Sequence, residues 1–264
     1  MSDTRGTATF RASAQAYDAF MGRYARALAT TFFEVCRLAV GGRFLDVGCG
    51  PGALTTVAAA RLGAAAVAAV DPAPQFVAAC LERLPGVDVR CAPAENLPFG
   101  DGIFAAAAAQ LVLHFVSNPT RAALEMARVV RPGGVVAVCV WDMEYGMEML
   151  RAFWDAALSI DPGAPDEEQT LRFGGPDELA GLFASSGLDE VEEDTVTVTA
   201  HYSGFSELWS TFLGGVGPAG NYAVTRPEPV QEALKDAFAE RLGRPGGGFS
   251  LSGVARVVRA KAPR

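Results

Sequence analysis

The residues best placed to do chemistry are the run LDVGCGPG at positions 45–52 and the acid Asp71. Gly48, Gly50 and Gly52 follow a short apolar run. Glycine there lets the chain turn sharply and lets a ligand approach the backbone closely. The helix expected next, from ALTTVAAARLG, would point its free N–H groups into the same spot. Asp71 closes the second apolar run, AAVAAVD, about twenty residues on, where nucleotide-binding sheets place an acid on a ribose diol. In the plainer alternative the glycines only make a tight strand–helix turn and Asp71 caps the next helix.

Asp46 discriminates between candidate ligands. Residues 48–53 also fit a loose G-x-G-x-x-A dinucleotide fingerprint. A carboxylate two residues before the first glycine, however, sits where a pyrophosphate would bind, and like charges there are unfavourable. An adenosine ligand that carries an ammonium and a sulfonium in place of phosphates would be favoured by that carboxylate. The residues therefore favour S-adenosylmethionine over NAD.

Other chemistry-bearing residues are few. The chain has two His and five Cys. Two histidines cannot build a three-His metal centre, and scattered cysteines without a C-x-x-C argue against zinc and disulfides and for a reducing cytosol, so no metal is expected. His114, in LVLHF, is expected on the substrate side of the crevice. Its pKa range suits a general base, and the competing reading is a packed histidine at a helix start. His201 reads as structural or surface. Asp142 and Glu144 either bind a cationic acceptor or cap the following helix. Cys49 reads as chosen for size, not reactivity.

These residues need a scaffold that brings strand ends together. From about 43 to 140, short apolar runs alternate with amphipathic stretches of helical spacing. That pattern gives a parallel sheet covered on both faces, doubly wound by right-handed crossovers. Ala105–Ala109 favours helix by intrinsic propensity but is read as a buried strand because it lies between two helices. Residues 13–40 read as one or two helices, with Tyr17, Phe20, Met21, Tyr24, Leu28 and Phe32 at spacings of three and four. Further helices are expected at 144–160, 176–187, 204–214 and 228–242. DPGAPDEEQ and the Gly/Pro-rich stretch between the last two helices read as loops. Late strands are expected at about 190–202 and 249–261.

Composition narrows the function. The 264 residues carry a net charge of -8 and are half hydrophobic. The acidic balance disfavours nucleic acid and anionic membrane surfaces as partners. No uninterrupted apolar stretch reaches the length of a membrane span, and the first twenty residues lack a signal-peptide layout, so a cytoplasmic protein is expected.

As a set, LDVGCGPG, VDPAPQF, CAPAENLPF and RPGGVVAV resemble the class I S-adenosylmethionine-dependent methyltransferases, in the group of small-molecule and ubiquinone/menaquinone-biosynthesis enzymes. The match covers about residues 40–140, and YDAFMGRYARALA resembles the entry helices of one bacterial branch. The resemblance implies an α/β, doubly wound, Rossmann-like seven-stranded sheet with the last strand antiparallel, N-terminal helices and a helical lid. It implies one domain over 1–264, with N-terminal helices at 1–40, the cofactor core at 41–142, and lid insertions with C-terminal strands at 143–264.

By the resemblance, Gly48, Cys49 and Gly50 line the methionine part of S-adenosylmethionine and Asp46 lies under the turn near its amino group. Asp71 takes the ribose hydroxyls, Pro72 packs beside the adenine, and Ala94 and Glu95 contact the adenine edge. Gln110 and Leu111 end the fourth strand near the sulfonium, where the family often has an acid, serine or alanine. Tyr17 closes over the cofactor. Arg23 either meets the cofactor carboxylate or makes a surface ion pair.

Methyl transfer is a displacement at a sulfonium carbon, so the cofactor carries the hard chemistry and the protein aligns the reactants. A base, for which His114 is the candidate, is needed only where the acceptor must lose a proton. Met147, Met149, Phe153, Trp154, Phe205, Trp209, Phe212 and Tyr222 either form a lid over an apolar acceptor or cover one another as core. The expected activity is O-, C- or N-methylation of a small lipophilic acceptor by a monomer or homodimer. The alternative is a protein of the same fold that binds the cofactor in a regulatory or non-methylating role.

Overall fold

The computed structural model describes residues 13–39, 41–143 and 146–264. Its strands are β1 (Phe44–Val47), β2 (Val67–Asp71), β3 (Asp88–Cys91), β4 (Phe104–Gln110), β5 (Val130–Trp141), β6 (Asp189–Tyr202) and β7 (Phe249–Lys261). They form one seven-stranded sheet in the order β3-β2-β1-β4-β5-β7-β6. β1 to β5 pair in parallel, and β7 runs antiparallel between β5 and β6. This is the expected sheet. Its order reverses between β1 and β4, and a crevice opens outside the strand ends at such a reversal.

Side chains alternate along the central strands into two cores. Phe44, Val67, Ala69, Ala106, Ala108, Val135 and Ala137 enter one. Leu45, Ala68, Val70, Ala107, Ala109, Val136 and Val138 enter the other. This alternation explains the alanine run. A strand flanked by β1 and β5 and covered on both faces has room for short side chains, and tertiary burial overrides their helix propensity.

The first core is covered by α1 (Ala14–Phe20), α2 (Gly22–Val35), α3 (Ala53–Leu62), α6 (Glu148–Ile160), α9 (Phe205–Phe212), α10 (Gly217–Thr225) and α11 (Glu228–Arg241). The second lies under α5 (Pro119–Val129) and α8 (Glu178–Ser185). Helix α4 (Pro74–Arg83) follows β2, and the single turn α7 (Glu167–Thr170) follows α6. Two stretches expected as loops are helical. DPGAPDEEQ contains the start of α7. The Gly/Pro-rich stretch forms α10, where Pro218 occupies the first turn and lacks only an N–H that would have no helical partner. Gly220 lets this helix approach the preceding loop: a Cβ there would lie 3.0 Å from the Gly215 carbonyl carbon.

The large apolar residues of α6 and α9–α11 pack on one another. Phe153 stacks on Phe212 at 4.5 Å and meets Phe238 edge-on at 5.7 Å, and Trp154 lies 5.5 Å from Tyr222. Among the described residues no helix is long and apolar enough to cross a membrane.

Phe153 is fully buried at the centre of this aromatic group. Phe153→Ala is expected to lower unfolding free energy by about 3–5 kcal/mol in denaturant titration. A loss of under about 1 kcal/mol would show that the group is a loose cover and not core.

Candidate functional site

The glycine turn lies at the β1 end of the crevice. Gly48, Gly50 and Gly52 all have positive φ, at 73°, 52° and 97°. Gly48 is also sterically required, because a Cβ there would overlap the Val112 side chain. The turn is held from β2: the Gly48 and Cys49 N–H groups donate to the Val70 carbonyl at 2.7 and 2.9 Å. Gly50 N–H donates to Asp71 Oδ2 at 2.9 Å, and Ala73 N–H donates to Asp71 Oδ1 at 2.8 Å. Asp71 is buried, and burial raises its pKa against the lowering effect of these two bonds. Each of its oxygens retains capacity to accept a second donor.

Asp46 lies beneath the turn and is 1% exposed. Thr55 Oγ1–H donates to its Oδ2 at 2.5 Å, while its Oδ1 has no hydrogen-bond partner among the described residues. Burial pushes this carboxyl up to about 7; the Thr55 hydrogen bond opposes the shift and the charge of Asp71 adds to it. Gln110 shows the same pattern. Its Nε2 donates to the Ala25 carbonyl at 2.8 Å, and its Oε1 is buried without a partner. Asp46 and Gln110 both line one cavity of about 370 Å³ with Gly48, Cys49, Gly50 and Tyr17. Buried acceptors without donors are rare because they are costly. A cationic hydrogen-bond donor such as an α-ammonium group would satisfy both.

A second cavity of about 580 Å³ continues from this one past Gly48 and Gly50 to Asp71, Pro72 and Phe76. The Tyr17 ring meets Phe76 edge-on at 5.5 Å and closes this cavity from α1. Helix α1 is held there by Asp18, which pairs with Arg83 at 2.7 Å, while Arg83 also donates to the Pro51 carbonyl of the turn. Leu111 ends β4 with φ 62°, a left-handed conformation that is uncommon for leucine. A third cavity of about 490 Å³, almost wholly apolar, lies beyond it. Tyr17, Leu111 and Phe115 line both the second and the third cavity, so they form the partition between them.

The structure thus gathers Tyr17, Asp46, Gly48, Cys49, Gly50, Asp71, Pro72, Gln110 and Leu111 around one crevice. Ala94 and Glu95 are not among the residues that line the two cavities of this crevice. Glu95 Oε1 accepts from the Ser117 and Asn118 N–H groups at 3.0 and 3.2 Å and so holds the segment that leads into α5, and Ala94 lies in the second core. A hydrogen bond with Cys80 and burial push the Cys49 thiol up, which agrees with a packing role.

His114 reaches the third cavity with both ring nitrogens committed. Nδ1 lies 2.7 Å from the Arg172 carbonyl, and the Trp141 N–H donates to Nε2 at 3.1 Å. The carbonyl requires Nδ1–H, so the lone pair a base would use is at Nε2 and is occupied. Burial also lowers the pKa to about 4. The geometry is that of a bridge between β5 and the 172 segment.

Arg23 is absent from the crevice, because it pairs with Glu207, donates to the His201 carbonyl and lies 4.9 Å over the Tyr202 ring. Asp142 pairs with Arg256 at 2.7 Å and so fastens β5 to β7, while Glu144 lies outside the described residues. His201 sits exposed, 3.3 Å from Ser250 Oγ. None of the eight aromatic and methionine residues expected as a lid lines the third cavity. Their neighbours Leu150 and Val216–Ala219 do. Phe76 and Phe115, which close the quoted VDPAPQF and LVLHF segments without being singled out there, also line the site, as do Trp141 and Glu167, which no motif marks. Among the described residues no group of three or more His, Cys, Asp or Glu could hold a metal ion.

Comparisons agree with this geometry. The sequence matches a family described as a methyltransferase domain over residues 45–138. It is 30% identical over 213 residues to malonyl-[acyl-carrier protein] O-methyltransferase of Geobacter sulfurreducens, covering 76% of this chain and 77% of that protein. It is 38% identical over 103 residues to demethylmenaquinone methyltransferase of Mycobacterium tuberculosis, covering 39% of this chain and 42% of that protein. A putative methyltransferase from an antibiotic biosynthesis pathway of Anabaena variabilis shares the fold, with TM-score 0.61 at 18% identity over 89% of this chain and 98% of that one.

Two outcomes test the site. Folding raises the Asp46 pKa from 3.8 to about 7, so the native state holds the proton more tightly than the unfolded chain. Stability from this group is therefore lost as pH rises through that window. The thermal midpoint of Asp46→Asn, minus that of the wild type, should rise across the window. A constant difference would show that Asp46 titrates normally. His114→Ala leaves two backbone groups unpaired and should cost about 1–3 kcal/mol in denaturant titration, with affinity for S-adenosylhomocysteine measured by calorimetry unchanged. Weakened binding at full stability would instead place His114 in the cofactor site.

Proposed function

Because the chain belongs to the S-adenosylmethionine-dependent methyltransferases, we propose that it methylates a small lipophilic acceptor bound in the apolar cavity beyond Leu111. The observation that carries this reading is the shared wall: Tyr17, Leu111 and Phe115 belong to both the acidic crevice and the apolar cavity. An acceptor and a cofactor would meet there. The cofactor is S-adenosylmethionine, which when bound would supply an electrophilic methyl carbon on a sulfonium, so that in-line attack by the acceptor breaks the C–S bond and a neutral thioether leaves.

The chain's own residues bind and align. Asp71 accepts from the two ribose hydroxyls, one at each oxygen, while its backbone bonds hold it still. Asp46 Oδ1 and Gln110 Oε1 accept from the ammonium group. The positive-φ glycines let the methionine portion lie against the backbone, and Pro72 and Phe76 flank the base. Leu111 and Tyr17 exclude water between the two cavities, so that alignment supplies most of the rate enhancement. His114 is a positioning residue that holds the apolar wall, and its occupied lone pair removes it as the base. The net charge of -8 supports a small molecule over a nucleic acid as acceptor. Five free cysteines support a reducing, cytoplasmic setting.

S-adenosylhomocysteine, and not NAD, should raise the thermal midpoint, since a ligand bound only by the native state stabilises it. Asp71→Ala removes two hydrogen bonds to a charged acceptor and should weaken that affinity by roughly 100-fold or more in calorimetry. Unchanged affinity would sink the ribose assignment. Release of S-adenosylhomocysteine with a panel of lipophilic acceptors would demonstrate turnover, and no release across hydroxyl, thiol and amine acceptors would count against the acceptor reading.

A further inference from the structure

Glu167 begins α7 and lines the apolar cavity, yet the cofactor does not need it there. Its neighbours in sequence explain its direction. Arg151 pairs with Asp166 at 2.7 Å, with Asp155 at 2.9 Å and with Glu168. With Asp166 and Glu168 both fastened to one guanidinium, Glu167 is turned inward and is 4% exposed. Among the described residues no basic side chain pairs with it. Its Oε2 accepts from Trp154 Nε1–H at 2.8 Å, and Oε1 has no hydrogen bond among the described residues. A glutamine would satisfy Trp154 equally well without the cost of burying an acid. Burial pushes this carboxyl up to about 7, opposed by the Trp154 bond.

A second group in the same wall is also unmatched. Trp141 is 4% exposed, and its Nε1–H has no hydrogen-bond partner among the described residues. One wall of the cavity thus holds two residues that each keep an unpaired polar atom, an acceptor on Glu167 and a donor on Trp141, against surroundings such as Phe20, Met143, Leu150 and Val216. Sparse polar groups in an apolar pocket set orientation and specificity.

We propose that Glu167 and Trp141 are the specificity-determining pair of the acceptor site, and that the acceptor is a neutral lipophilic molecule bearing a hydroxyl. The hydroxyl donates to Glu167 Oε1, and Trp141 Nε1–H donates to an oxygen of the same molecule. A carboxylate or phosphate acceptor is opposed by like charge once Glu167 is ionised, above about pH 7. A protonated amine would satisfy Glu167 but, having no lone pair, would leave Trp141 unmatched. This rests on the apolar cavity being the acceptor site.

The test uses the full chain saturated with S-adenosylhomocysteine and four probes built on one ring system: naphthalene, 2-naphthol, 2-naphthylmethylamine and 2-naphthoate, with affinities read by calorimetry at a pH of about 8, where Glu167 is ionised and the amine protonated. The wild type should bind 2-naphthol about tenfold or more tighter than naphthalene, and tighter than the amine or the carboxylate. Glu167→Gln keeps the shape and the Trp154 contact but removes the charge. It should narrow or invert the preference of 2-naphthol over 2-naphthoate, which a purely structural role would leave alone. Trp141→Phe should weaken 2-naphthol and leave naphthalene unchanged. Equal affinity for naphthalene and 2-naphthol in the wild type overturns the pair while leaving the cavity as acceptor site. Equal affinity for the alcohol and the amine overturns the hydroxyl assignment. Binding of no probe, with S-adenosylhomocysteine bound, overturns the cavity reading and this inference with it.

Discussion

The site depends on one carboxylate. Asp71, at the end of β2, accepts from Gly50 N–H on one oxygen and from Ala73 N–H on the other. These bonds tie the turn after β1 to the turn after β2, so two crossover connections are locked at the same crevice. The proposed ribose contact and the backbone geometry of both turns thus rest on the same side chain. The cost is a buried acid, which the two backbone donors offset.

Electrostatics follow from that arrangement. Asp46 lies near Asp71 in a region nearly closed to water, and the charge of Asp71 makes that of Asp46 harder to form. The unsatisfied oxygens of Asp46 and Gln110 add to the cost. A cation bound there would relieve all of these terms together, which gives the crevice a preference for a positively charged nucleoside over a phosphate-bearing one. On the far side of Leu111 the surroundings are apolar, and the unusual backbone of Leu111 marks the boundary between the two environments.

The helices after β5 act at one remove. Phe153, Phe212, Phe238 and Tyr222 pack into a rigid aromatic core. That core presents smaller neighbours, Leu150 and Val216–Ala219, to the cavity. The residues that look most like a lid in the sequence are thus its foundation, and cavity shape is set by packing behind the wall.

The sequence by itself determined the sheet, the glycine turn and the acid. Those rest on local rules: period-two burial, positive φ at glycine, and an acid at a strand end. Even the alanine run was legible, because its flanking helices left room only for a strand. Tertiary structure alone decided the rest. CAPAENLPF does not itself say that the Glu95 carboxylate holds the segment leading into α5, a bond made by the nearness of two distant segments. His114 reads as a base until its two nitrogens are found bonded to Trp141 and Arg172. Glu167 reads as one acid in the run DEEQ. It is turned inward because Arg151, from another helix, holds both its neighbours. Residue type and spacing specify what a side chain can do. Which partners occupy its hydrogen-bonding atoms depends on contacts between residues far apart in the chain, and these exist only once the fold has formed.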